Sequence, residues 1–185
     1  MGRVSKDQAR ENRQRVVASA SRLFREQGTD GVSVADLMKA AGLTHGGFYK
    51  QFASKEALVD EATAHAFTTL EERLGDALGA HGGDPAAARG DLIDYYLSPE
   101  HRDDPAGGCP TVALAADMSR SPHEGTAHET YTEGVRRFAA WLATAEDDGL
   151  ARLSTLVGAL MLARAVKGDP LSDEILAAAR TQVTT

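Results

Sequence analysis

The segment that most constrains the fold of this chain is residues 33–52, SVADLMKAAGLTHGGFYKQF. Ser33 can cap a first short helix, behind which apolar side chains recur at helical spacing. Gly42 suits a tight turn between two helices, and Thr44 can cap the second helix. The pattern therefore predicts a helix-turn-helix, a unit whose second helix can lie in the major groove of DNA.

The second predicted helix carries two glycines, Gly46 and Gly47. Each glycine costs about 1 kcal/mol relative to alanine inside a helix, so a helix that serves only for packing gains little from them. A helix that must bring its backbone close to another surface does gain. Phe48 and Phe52 are four residues apart and are expected to face the core together, which leaves Tyr49 to reach phosphate or base edges.

Helical periodicity continues through nearly the whole chain, and no stretch shows the sustained period of two that is typical of a strand. We predict an all-α fold of about nine helices, in which one long helix over about residues 55–78 joins two parts. Residues 1–55 are predicted to form a three-helix domain with the helix-turn-helix, and residues 56–185 a helical body. Within the body, residues 98–108 are expected to be a polar loop, followed by one helix over about residues 109–120.

Charge is distributed unevenly along the 185 residues. Residues 1–55 hold ten Lys or Arg and five Asp or Glu, a net charge of +5, whereas the remainder carries −12 and the whole chain −7. A basic end on an acidic body is the asymmetry expected when only one end of a protein meets phosphate. For a single arginine such as Arg10 or Arg13, a solvated helix face is an equally good interpretation.

The composition also bears on location. No run of 18 apolar residues is present, and the charged N-terminus lacks the apolar block of a signal peptide, so neither a membrane span nor secretion is expected. Cys109 is the single cysteine and cannot form an internal disulfide, which fits a reducing compartment. We therefore expect a cytoplasmic protein.

Residues 150–166, LARLSTLVGALMLARAV, are apolar on nearly every face. A helix that is apolar all round is buried all round, and in a chain of this size a second copy is the expected source of the additional cover. We predict that this helix and the next one form a four-helix, two-fold interface with their symmetry mates, the alternative being a central helix of the monomer core. The predicted interface residues are Leu153, Val157, Leu160, Met161, Ile175, Leu176 and Ala179.

The run VSVADLMKAAGLTHGGFYKQFASKEALVDEA resembles the DNA-binding domain of TetR-type transcriptional regulators, over about residues 10–62. The remainder is similar to that family only as a helical body for ligand binding and dimerisation. The resemblance implies a homodimeric repressor that leaves a palindromic operator on double-stranded DNA when a small molecule or a chemical modification reaches the body. The residues to which it assigns DNA contacts are Ser33, Thr44, His45, Gly46, Gly47, Tyr49, Lys50 and Lys55.

Two routes for the effector are open in the sequence. Cys109 precedes Pro110 and is expected at a helix N-terminus, where the dipole favours a thiolate. Some regulators of the family that it resembles sense oxidants or electrophiles through a cysteine, whereas the plain interpretation is a small buried apolar residue. The second route is a small-molecule pocket, with core packing as the alternative for each side chain. The pocket candidates are Phe67, Leu70, Met118, Tyr131, Phe138 and Trp141.

Other functional classes have weaker support. His101, His123 and His128 accompany Cys109 in the body, but their spacing matches no standard zinc pattern, and neither a metal nor another cofactor is expected. The chain has no Gly-rich phosphate loop, GxSxG, HExxH or CxxC motif, so we do not expect an enzyme. A helical protein-interaction module without sequence-specific DNA binding stays the alternative function. It would explain the apolar helix over residues 150–166 but not the basic N-terminal end.

Overall fold

The computed structural model describes residues 6–121 and 125–184, and every regular element in these ranges is helical. The elements in chain order are α1 (Lys6–Gln27), α2 (Val34–Ala40), a 3₁₀ helix (His45–Lys50), α3 (Lys55–Ala80), α4 (Pro85–Tyr96), α5 (Pro99–Asp103), α6 (Pro110–Ala113), α7 (Ala115–Arg120), α8 (Thr126–Leu142), α9 (Leu150–Ala165) and α10 (Leu171–Thr184). The all-α prediction is confirmed, with two elements more than expected.

Both additional elements lie in the region that was predicted as a loop and a single helix. The expectation of a loop over residues 98–108 holds for residues 104–108 but is wrong for Pro99–Asp103, which form α5. Ser98 accepts a hydrogen bond from the His101 backbone N–H at 3.1 Å and caps this helix. The single helix expected after Cys109 is instead α6 and α7, which meet at Leu114. Helices of four to six residues are too short to show a hydrophobic period, so pattern analysis misses them.

Side-chain caps fix the starts of the helices around the predicted turn. Ser33 accepts a hydrogen bond from the Asp36 backbone N–H at 3.2 Å, and the Asp36 carboxylate accepts one from the Ser33 backbone N–H at 3.3 Å. Ser54 caps α3 and Asp84 caps α4. Thr44 occupies the N-cap of the 3₁₀ helix without a hydrogen bond from its side chain, so the cap predicted there is wrong.

The chain packs around two hydrophobic cores. The first is built from α1, α2, the 3₁₀ helix and the start of α3, and its buried residues include the predicted pair Phe48 and Phe52, whose ring centroids are 5.4 Å apart. The second lies among α3, α4, α6, α8, α9 and α10. Helix α3 contributes Leu58 to the first core and Leu74 to the second, so this one helix joins them. Leu114, between α6 and α7, also packs in the first core.

Helix α9 divides its apolar residues between the interior and the surface. Four of the seven predicted interface residues, Leu153, Leu160, Leu176 and Ala179, are buried in the second core of the same chain, so they are not available to a partner. Val157 and Ile175 are half-buried and Met161 is exposed. None of the helices in residues 6–121 and 125–184 has the length and apolar character that crossing a bilayer requires.

Candidate nucleic-acid interface and effector cavity

The turn between α2 and the 3₁₀ helix is held by Gly42. Its φ of +69° lies in the left-handed region that glycine adopts without strain, as the sequence predicted. The Gly42 backbone N–H donates to the Lys39 carbonyl at 3.0 Å, and the Leu43 N–H donates to the Met38 carbonyl at 2.8 Å. These bonds satisfy carbonyls at the end of α2 and redirect the chain into the next helix.

The second helix of this unit is a 3₁₀ helix rather than an α-helix. Phe48 is fully buried and anchors it, while Tyr49 is 69% exposed and packs edge-to-face on Phe48 with ring centroids 5.1 Å apart. The other predicted contact residues of this segment are at least partly accessible to solvent. Thr44, His45, Gly46 and Lys50 are exposed, and Gly47 is half-buried.

Packing within the chain does not require the two glycines of this helix. A Cβ added at Gly46 would meet no heavy atom within 4 Å, and one at Gly47 would meet only the Met38 Cε at 3.4 Å. Neither glycine has a positive φ. Any need for a small residue here therefore comes from outside the chain.

Ser33 and Lys55 lie at the starts of α2 and α3. The Ser33 hydroxyl is exposed and donates to the Asp36 carboxylate at 2.5 Å, so this hydroxyl already has a partner within the chain. The hydrogen bond from Ser33 lowers the pKa of the Asp36 carboxyl. Lys55 is half-buried and is the first residue of α3, directly after the Ser54 cap.

Arg13 has a role that the sequence did not reveal. Its guanidinium donates to the Gln51 carbonyl and to the Glu61 carboxylate, and it lies over the Phe52 ring with the Cζ atom 4.3 Å from the ring centroid. The arginine thus ties α1 to α3 and to the end of the 3₁₀ helix. These partners are 38 and 48 residues away along the chain, so no local sequence pattern predicts them. Arg10, in contrast, is exposed on α1.

Two buried side chains connect this helix-turn-helix region to the rest of the molecule. Arg25, in the last turn of α1, donates from Nη1 to the Gly108 carbonyl at 2.8 Å. Asp117, on α7, accepts a hydrogen bond from the Thr29 backbone N–H at 3.1 Å. The segment that surrounds Cys109 is therefore bonded directly to the end of α1.

A cavity of about 330 Å³ opens beside this connection. Its wall is mostly apolar and comes from α3, α4 and the α5–α6 junction, with Arg25 reaching in from α1. The wall includes Arg25, Leu70, Arg73, Leu74, Leu92, Tyr95, Tyr96, His101 and Cys109.

Of the six predicted pocket residues, only Leu70 contributes to this wall. A separate cleft between α3 and α8 is lined by four of the six, Phe67, Leu70, Phe138 and Trp141. Met118 and Tyr131 line another cleft between α7 and α8. The six side chains therefore do not converge on one cavity. Helical periodicity indicates which faces are inward but not where the space between them stays unfilled.

Cys109 is buried in the wall of the 330 Å³ cavity. Its backbone N–H donates to His101 Nε2 at 3.2 Å, and His101 Nδ1 lies 2.9 Å from the Tyr96 carbonyl oxygen. Because a carbonyl only accepts, Nδ1 carries the proton and His101 is neutral in this arrangement. Burial lowers the pKa of His101 and raises the pKa of the neighbouring Tyr96 well above its usual range.

The electrostatic surroundings of Cys109 differ from the sequence-based expectation. Helix α6 begins at Pro110 as predicted, but it is only four residues long, so little dipole accumulates at its start. Two arginines reach the backbone next to Cys109 instead: Arg25 donates to the Gly108 carbonyl at 2.8 Å, and Arg164 Nη2 lies 2.8 Å from the position of a Cβ at Gly108. Neither arginine was recognised from the sequence, since both are distant from Cys109 along the chain.

Gly108 is fixed by close packing. A Cβ at this position would lie 2.8 Å from Arg164 Nη2 and from the Asp104 carbonyl oxygen, closer than real Cβ atoms approach. Arg164 reaches this point from α9 and donates to the His101 carbonyl at 2.9 Å. The glycine before Cys109 thus lets three elements meet at the cavity.

Among the described residues, no group of three or more His, Cys, Asp or Glu side chains could hold a metal ion. His101 is held by Tyr96 and the Cys109 backbone, as described above, and His128 lies on α8. His123 lies outside the described residues.

Residues 16–62 match the family described as bacterial regulatory proteins, tetR family. The chain is 31% identical over 97 residues to the HTH-type transcriptional regulator AcrR of Shigella flexneri, a match that covers 52% of this chain and 45% of AcrR. It is 25% identical over 149 residues to the HTH-type transcriptional repressor NemR of Escherichia coli strain K12, covering 79% of this chain and 72% of NemR. The crystal structure of the reduced form of E. coli NemR superposes with a TM-score of 0.74 at 22% identity, over 94% of this chain and 95% of NemR.

Proposed function

We propose that the chain is a DNA-binding transcriptional regulator of the TetR family that acts as a homodimer, because its residues 16–62 match the model of that family. The observation that carries this conclusion is the helix-turn-helix, in which Phe48 anchors the 3₁₀ helix and Tyr49 is exposed. The match to AcrR spans less than half of that protein.

The proposed DNA surface is the exposed side of the 3₁₀ helix and the starts of α2 and α3. Thr44 and His45 would lie nearest the groove, while Tyr49 and Lys50 would reach phosphates or base edges. The open space around Gly46 supports a close approach of the backbone to DNA. The residues that complete the surface are Ser33, Gly47 and Lys55.

The exposed apolar residues of α9 and α10 support dimerisation. Leu162 is 58% exposed, and Leu150, Met161 and Leu171 are also large, apolar and exposed. Apolar surface gathered on one helix pair is typical of an interface. A two-fold dimer places two identical helix-turn-helix units on DNA and therefore requires a palindromic operator.

We further propose that the chain represses transcription and leaves its operator in response to an effector. The repressor name of NemR supports repression. Two routes of release share one place in this molecule, since the thiol of Cys109 forms part of the cavity wall. Conjugate addition of the Cys109 thiol to an activated C=C bond would form an S–C bond and break the C=C π bond, with the thiol proton ending on the neighbouring carbon. The added group would then stay inside the cavity. The proposed activity is binding rather than catalysis, in the cytoplasm.

The test is selection of bound duplexes from a random pool, followed by affinity measurements at several salt concentrations. We expect a palindromic site and an affinity that falls steeply with salt, because phosphate contacts release counterions. Lys55→Ala should weaken binding to all sequences and reduce the salt slope by about 1, whereas His45→Ala should change base preference. Salt-independent binding, or unchanged affinity in both variants, would favour the protein-interaction module instead.

A further inference from the structure

We propose that the cavity beside Cys109 binds a small organic anion, a carboxylate on a short apolar body, through Arg25 and Arg73. The anion is the effector only if the chain is the regulator proposed above. The binding site itself depends on the cavity and its two arginines alone.

Arg25 is a buried cation that forms no ion pair within residues 6–121 and 125–184, although the Asp104 carboxylate is close enough to act on its charge. It is more than nine-tenths buried, and in the described part of the chain its hydrogen bonds go to two neutral carbonyls, those of Ser21 and Gly108. No carboxylate in those ranges lies within ion-pair distance of its guanidinium, which has five N–H donors. A buried charge is costly unless it is paired, so this position favours an external anion.

Arg73 supplies a second cation on the same wall. Its Nη1 donates to the Gly107 carbonyl at 2.7 Å, while Arg25 donates to the next carbonyl along the chain, that of Gly108. Two arginines held at adjacent carbonyls repel each other. Burial first, and then the charge of Arg73, lower the pKa of Arg25 to about 10. One carboxylate between the two guanidiniums would relieve this repulsion and accept their remaining N–H groups.

The rest of the cavity wall indicates what kind of molecular body carries the carboxylate. Leu70, Leu74 and Leu92 give an apolar lining, and Tyr95 adds an aromatic face. The volume of about 330 Å³ is at the lower end of the range for small-molecule pockets, which fits a short-chain or single-ring body. Elsewhere on the wall, His81 and Asp91 lie 2.9 Å apart and pair with each other, so Asp91 does not neutralise the arginines.

An anion in this cavity would act on both other functional parts. It would cover Cys109, which forms part of the cavity wall. It would also attract the Arg25 guanidinium and so compete with the hydrogen bond by which Arg25 holds α1 to the Gly108 carbonyl. Ligand binding and thiol modification would then compete for one space and reach the DNA-binding region through one hydrogen bond.

The first experiment measures binding by calorimetry without DNA, with octanoate and benzoate as probes and octanamide as the neutral isostere of octanoate. We expect a carboxylate to bind at least tenfold more tightly than the amide. Arg73→Gln and Arg25→Gln should each weaken carboxylate binding at least tenfold, and Arg73→Lys should retain most of it. Arg136→Gln is the matched control, since Arg136 is exposed on α8 away from the cavity. Because Arg73 is itself exposed, its variants test the idea even if Arg25→Gln fails to fold.

The second experiment follows alkylation of Cys109 by iodoacetamide with intact-mass spectrometry, which is unambiguous because the chain has one cysteine. Saturating carboxylate should slow alkylation at least fivefold in the wild-type protein and not in Arg73→Gln. Equal affinities for acid and amide, or an Arg73→Gln variant that binds normally, would overturn the assignment. If the protein binds a carboxylate but does not bind DNA, only the proposed function is overturned. If it binds DNA but neither octanoate nor benzoate, only the anion site is overturned.

Discussion

The head, residues 6–54, and the body, residues 55–184, direct their polar groups in opposite ways. In the head, Tyr49 and Lys50 point to solvent from a helix anchored on a small core. In the body, Arg73 and Arg164 turn toward backbone carbonyls around an internal space. The head is thus organised around a partner that arrives from outside, and the body around something that can be enclosed. Arg25 belongs to the head by sequence but ends at the body cavity.

This contrast explains which features the sequence could predict. The Ser33 capping box, the Gly42 turn and the Phe48–Phe52 pair each involve residues within four positions of one another, so a pattern reveals them. Arg25 contacts Gly108 across 83 residues, and that contact follows only from how the helices pack. Phe67, Phe138 and Trp141, which were proposed for the pocket, line the cleft between α3 and α8. The cavity beside Cys109 is a different space, and its position follows only from how the helices pack.

The largest expected effect comes from removing Phe48, which anchors the 3₁₀ helix in the core of the head. It tests whether head and body act separately. Phe48→Ala removes a fully buried ring from the first core and should cost about 3–5 kcal/mol of the free energy of unfolding, together with DNA binding. Denaturant unfolding measures the loss, and calorimetry should show that the carboxylate probes still bind. Loss of carboxylate binding in a variant whose α-helical content is unchanged would mean that the two regions do not act separately.

The next effect concerns the surface of α9 and α10 through which we propose that two copies of the chain associate. Leu162→Lys places a charge on an exposed apolar residue of α9 and should convert a dimer into a monomer, weakening operator binding at least tenfold. Light scattering and fluorescence anisotropy measure the two quantities. Ala140→Lys adds the same charge on an exposed position of α8 and should leave both unchanged. A wild-type monomer at micromolar concentration would contradict the dimer.

A smaller effect should have opposite signs for stability and for DNA binding. Gly46→Ala meets no neighbour and needs no unusual φ, so it should stabilise the protein by about 0.4–1 kcal/mol by restricting the unfolded chain. The same methyl group should weaken operator binding if the backbone approaches DNA here. Thermal unfolding and anisotropy provide the two measurements, and a variant that is more stable with undiminished affinity would remove the proposed reason for this glycine.

The smallest effect is a pH dependence located in the body. Burial lowers the pKa of His101 below its usual value of about 6.5. Just below pH 6.5, His101 is therefore protonated in the unfolded chain but still neutral in the folded chain. Stability should therefore fall as the pH decreases through that value, and protonation would also remove the acceptor of the Cys109 N–H. Denaturant midpoints at pH 7.5 and 5.5 measure the slope, which His101→Gln should reduce. An unchanged slope in that variant would place the titrating group elsewhere.

The hydrogen bond from Arg25 to the Gly108 carbonyl has a thermodynamic consequence. Coupling between two binding sites is reciprocal. If a ligand in the body cavity lowers the affinity of the head for DNA by some factor, bound DNA lowers the affinity of the cavity for that ligand by the same factor. Operator DNA would then act as an antagonist of the effector, and the amount of effector needed for release would rise with the number of operator sites in the cell.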